Sequence, residues 1–90
     1  MNPELDFLDQ LLGGNLPLVV LLRLFPSIPR ARHAIHAMLA GDEIRLIGAD
    51  GAQLQPWQWQ ELSRASDSDW RRAAADLTVS LTPKAAERVA

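Results

Sequence analysis

The chain has 90 residues, 48% of them apolar, enough for one domain around a single core. It has no cysteine, which excludes disulfides, thiolate metal sites and a thiol nucleophile. Its net charge of −2 argues against bulk electrostatic capture of nucleic acid, though not against a local basic face.

The longest apolar run, Leu16 to Leu22, ends at Arg23 and is too short to span a bilayer. Glu4, Asp6 and Asp9 stand where a secretory leader carries positive charge, so a cytoplasmic protein is expected. No linker, repeat or low-complexity block divides the chain.

Asn2 and Pro3 suit the start of a first helix, and the acids beside them suit its positive end. Leu5, Leu8, Leu11 and Leu12 recur at helical spacing, with Phe7 beside them, until Gly13-Gly14 stops the run. Asn15 and Pro17 predict a second helix to about Phe25, in which only Arg23 is polar. A helix apolar all round must be covered all round, by the rest of the chain or by a second subunit.

Pro26-Ser27-Ile28-Pro29 breaks that helix, and Ser27 caps a third from about Pro29 to Ala40. Ile28, Ala31, Ile35, Met38 and Leu39 form its inward stripe. Glu43 to Gly48 alternates as a strand, turns at Ala49-Asp50-Gly51 and returns through Ala52 to Gln55. The favoured register sets Leu46 opposite Leu54, with Ile44 on the same face, Arg45 outward and Gly51 left-handed.

Pro56 opens a fourth helix with Trp57, Trp59 and Leu62, and Ser66 or Asp67 caps a fifth to about Leu77. Trp70, Ala73, Ala74 and Leu77 make the inner face of the fifth helix. Thr78 to Thr82 alternates as a strand, Thr82 caps, and Pro83 begins a last short helix, Lys84 to Val89.

Among groups able to do chemistry, His33 and His36 lie three apart on one helical face, a spacing that can hold a metal. No further ligand set accompanies them, so both are read as surface residues, with no metal and no cofactor. The serines fall at caps, turns and strand faces, and no nucleophile elbow or phosphate loop is present. A non-enzymatic protein is expected. Trp59 and Trp70 are read as core, and Trp57, followed by glutamines, as partly exposed. Arg71 and Arg72 project about 100° apart from the fifth helix, so at least one faces solvent.

The order of helix 29–40, strand 43–48, helices 56–65 and 67–77 and strand 78–82 is similar to winged-helix DNA-binding domains. The segment Leu81-Thr82-Pro83-Lys84, leading into Ala85-Ala86-Glu87-Arg88-Val89, resembles the end of the wing in regulators of the multiple-antibiotic-resistance type. Ala85 stands where that family has glycine, and one strand rather than two fits between Leu77 and Pro83. The resemblance implies a mainly helical fold with a small antiparallel sheet, winged-helix-like, with two extra N-terminal helices. It makes the fifth helix a recognition helix, with Arg71 and Arg72 as DNA contacts and Arg45 on the outward strand face as a third.

The expected protein is thus a small regulator that binds DNA through residues 29–90. The alternative is an adaptor or inhibitor that binds protein and no nucleic acid, favoured by the net negative charge and by Asp67, Asp69 and Asp76 around the arginines. Residues 1–28 are expected to join a homodimer, with Leu18, Leu21, Leu22, Phe25 and Trp57 as interface residues.

Overall fold

The computed structural model describes residues 3–89. Helix α1 covers Pro3–Leu11, and a two-residue strand, β1, covers Leu16–Pro17. Helix α2 is a single turn, Leu18–Leu21, continued by a 3-10 turn over Leu22–Leu24. Then follow α3 (Ile28–Ala40), β2 (Ile44–Ile47), α4 (Pro56–Leu62), α5 (Asp67–Ala74), β3 (Thr78–Leu81) and α6 (Pro83–Val89). The protein is mainly helical with one small antiparallel sheet. No helix among the described residues is long and apolar enough to cross a membrane.

Capping residues start three of these helices where expected. The Ser27 hydroxyl accepts the Arg30 N–H at 3.4 Å, and the Ser66 hydroxyl accepts the Asp69 N–H at 3.2 Å. Thr82 accepts the Ala85 N–H at 3.2 Å at the start of α6. The cap expected from Asn2 lies outside the described residues.

The strands run in the order β1-β3-β2, all neighbours antiparallel. Ile44 faces Leu81 and Leu46 faces Val79, while Leu16 faces Val79 from the other side. Alternation then sends Ile44 and Leu46 into the core and Arg45 out to solvent.

The turn after β2 keeps the favoured register. Leu54 N–H donates to the Leu46 carbonyl at 2.8 Å, Ile47 bridges Gln53, and Gly51 has φ +83°. The return segment does not go on as a strand, because Gln55 already serves α4. Its N–H donates to Gln58 Oε1 at 2.7 Å, which turns the chain into the helix. β2 instead completes its pairing with β3.

Two expectations for the N-terminal segment are corrected. Leu16–Phe25 is not one helix: Leu16 and Pro17 pair with Val79 and Thr78, and the helical turn begins only at Leu18. A central strand with an open edge outcompetes one more turn of leucine-rich helix. Leu18 and Leu21, expected at a partner interface, are 0% and 1% exposed and belong to the protomer's own core. The chain itself covers Leu18 and Leu21, while Val19 and Val20 stay 41% and 46% exposed. Phe7, Leu8 and Leu11 of α1 join the same core as Ile35, Met38, Trp70 and Val79. Phe7 and Phe25 stack their rings 5.9 Å apart in a tilted pair, which fixes α1 against the segment after the 3-10 turn.

A two-stranded wing after α5 is not formed among the described residues. β3 stands alone between α5 and α6, and its second neighbour comes from the N-terminal segment.

Candidate functional site

Of the residues expected to carry function, the structure brings Arg71 together with Leu22 and sets the others apart. Val19 and Leu22 from α2 and the 3-10 turn, Ile28 from the start of α3, and Ala75 after α5 line a groove of about 390 Å³. Arg23 and Arg71 complete its lining. Val19 is exposed, Leu22 and Ile28 are half-buried, and both arginines are exposed. Neither guanidinium forms an ion pair among the described residues. Two cations therefore share a largely aliphatic concavity without an ion-pair partner among the described residues.

Local structure explains why they meet. The 3-10 turn ends in Phe25, which takes an extended conformation, so the chain turns back at Pro26 and Ser27 before entering α3. That bend sets Arg23 and Ile28 near each other. The third wall comes from α5, whose Trp70 and Ala74 are buried, which turns Arg71 and Ala75 toward the outside.

Arg72 also lies on the exposed side of α5, at 4.0 Å from Asp69 one turn away, both groups open to solvent. Such a pair adds little stability. Arg45 is exposed on β2 and does not line the groove. Phe25 is half-buried against Phe7, and Trp57 is 61% exposed near the start of α4, also away from the groove lining.

A second polar cluster lies between α3, α4 and α5, and sequence reasoning missed it. His36, read as a surface residue, is half-buried, and its Nε2 accepts the Trp70 indole N–H at 3.2 Å. Its ring also lies 6.0 Å from that of Trp59. Burial holds the His36 pKa below its ordinary value, and the nearby Arg32 guanidinium adds to the effect. With Nε2 accepting, the neutral ring carries its proton on Nδ1, which is buried with no partner among the described residues.

Arg32 ties the cluster together. It donates to Asp67 Oδ1 at 2.7 Å and to the carbonyls of Leu62 and Ser63 at 3.3 and 3.1 Å. Its guanidinium carbon is 5.8 Å from the centre of the Trp70 ring. A cation at the carboxyl end of α4 is where the helix dipole favours it. Arg32 thus gives three hydrogen bonds to α5 and the end of α4, an architectural role. The i, i+3 spacing of Arg32, Ile35 and the neighbouring His36 was visible in the sequence; the tryptophans opposite them were not.

His33 is exposed on the same helix. No group of three or more His, Asp or Glu side chains able to hold a metal ion occurs among the described residues. No family model matches the chain, and no curated protein or solved structure matches it.

Proposed function

We propose that the protein is a non-enzymatic adaptor that binds another polypeptide through the groove between α2 and α5. The groove itself carries this reading: an aliphatic floor of Val19, Leu22 and Ile28 holds two arginines that are free of ion pairs among the described residues. Arginine is enriched in protein interface cores, where a planar guanidinium grips carboxylates and carbonyls.

Binding of duplex DNA through α5 is the less supported reading. Arg71 lies among aliphatic side chains, and Asp69 and Asp76 are exposed close to Arg71 and Arg72. Carboxylates at that density repel a phosphate backbone.

The test compares proteins captured from a lysate on immobilised wild-type chain with those captured on Arg23→Glu/Arg71→Glu. The adaptor reading expects a defined set that is retained by the first and lost from the second, with both chains melting alike. Equal retention overturns it. So does binding of random duplex DNA at low salt that weakens steeply as salt rises.

A further inference from the structure

We infer that the groove receives the outer face of α1 from a second copy of this chain, an inference that rests on reading the groove as a protein-docking site. The protomer leaves a second surface unexplained. Phe7, Leu8 and Leu11 turn inward from α1, yet Leu5 and Leu12 remain 57% and 44% exposed. At about 100° per residue, Leu5 and Asp9 lie about 40° apart on α1, and Leu12 extends that line in the turn just after it, its N–H donating to the Asp9 carbonyl at 3.1 Å. Asp9 is exposed, Asp6 lies further round and is half-exposed, and neither forms an ion pair among the described residues.

The ridge and the groove match in both shape and charge. The ridge offers two exposed leucines and the Asp9 carboxylate, with Asp6 at its flank; the groove is concave, largely aliphatic, and carries two guanidinium groups. Each side supplies what the other lacks. An arginine fork meets a carboxylate with two parallel hydrogen bonds, which Arg23 and Arg71 are free to offer. Each copy carries one ridge and one groove, so a two-fold pair makes the contact twice. This places the dimer contact on the exposed side of α1 and on Val19, rather than on the buried Leu18 and Leu21.

Sedimentation of a charge-swapped pair tests the inference. One variant reverses the groove, Arg23→Glu/Arg71→Glu; the other reverses the ridge, Asp6→Arg/Asp9→Arg. Wild-type chain is expected to associate reversibly to a dimer. Each variant alone should associate at least about tenfold more weakly, because like charges then face each other across both contacts. An equimolar mixture of the two variants should recover the dimer, since each reversed ridge meets a reversed groove.

Thermal melts of each variant separate loss of association from loss of fold. Should a reversed ridge unfold, Leu5→Ser/Leu12→Ser removes the same ridge at exposed positions and should weaken the dimer without charge reversal. A wild-type monomer at every concentration overturns the inference, as does a mixture that recovers nothing. If the wild type is monomeric while the groove variant still loses captured proteins, the groove serves a foreign partner and the adaptor reading stands alone.

Discussion

The indole N–H of Trp70 donates to Nε2 of His36 across 3.2 Å, the one side-chain hydrogen bond among the described residues that joins two rings of this core. Protonation of His36 fills Nε2 and removes the acceptor. It also sets a second cation beside Arg32.

The folded state therefore favours the neutral ring, and the sign of the pH dependence follows. Because the folded pKa lies below the ordinary 6.5, the unfolded chain takes up a proton first as pH falls. Stability from this group is complete above the unfolded value, is lost on acidification through it, and levels off below the folded value. Thermal melts from about pH 7.5 to about pH 5 should show wild type losing more stability than His36→Gln. Parallel pH profiles for the two chains would exclude His36 as the source.

Arg32 carries more than its visible ion pair. Its partner Asp67 is largely exposed, so Asp67→Asn should cost under about 1 kcal/mol. Arg32→Ala also abandons the carbonyls of Leu62 and Ser63 and uncovers the Trp70 face, and should cost about 2–3 kcal/mol. Arg32→Lys should recover less than half of that, since an ammonium cannot reproduce the fork. Urea denaturation of the three variants checks the ranking, and equal losses for Arg32→Ala and Asp67→Asn would reduce Arg32 to its surface pair.

Two neighbouring positions in the apolar run should behave in opposite ways. Leu21 is in the core and Val20 is exposed. Leu21→Asp buries an unpaired carboxyl in the hydrophobic core and should unfold the chain at room temperature. Val20→Asp should shift stability by no more than about 0.5 kcal/mol. Circular dichroism melts distinguish them, and a folded Leu21→Asp would mean that the side chain escapes to solvent.

Thr82 joins β2, β3 and α6 through one hydroxyl. Its side chain is 1% exposed, donates to the Asp42 carbonyl at 2.6 Å, with the Glu43 carbonyl at 3.1 Å, and accepts the Ala85 N–H. Thr82→Val preserves the shape and leaves these groups unmatched, a cost of about 1–3 kcal/mol, whereas Thr82→Ser should lose less than half as much. Equal stability of Thr82→Val and wild type, measured by denaturant midpoint, would show the hydroxyl to be dispensable.

What was legible in the sequence is what depends on neighbours along the chain. Ser27, Ser66 and Thr82 cap helices because a hydroxyl reaches backbone three residues ahead. The turn at Asp50-Gly51 sets its register because glycine accepts a positive φ and the alternation of Ile44 and Leu46 needs one face. Whatever depends on distant partners was hidden. Leu16 and Pro17 form a strand only because Val79 and Thr78 lie open beside them. His36 is drawn inward by Trp59 and Trp70, which its own helix does not announce. Arg71 was singled out by its place on α5, yet its company in the groove, Arg23 and Ile28, comes from across the core.

The central position of β3 also orders events during synthesis. Leu16 and Pro17, which open the apolar run, pair with Val79 and Thr78, residues made about sixty positions later. At about 5–20 residues per second, the most apolar stretch waits roughly three to eleven seconds for the strand that closes over it. β2 pairs with the same strand, so both outer strands lack their sheet partner until β3 has been made. A chain stalled before Thr78 offers a chaperone, or another nascent copy, two unsatisfied strands and a run of leucines at once.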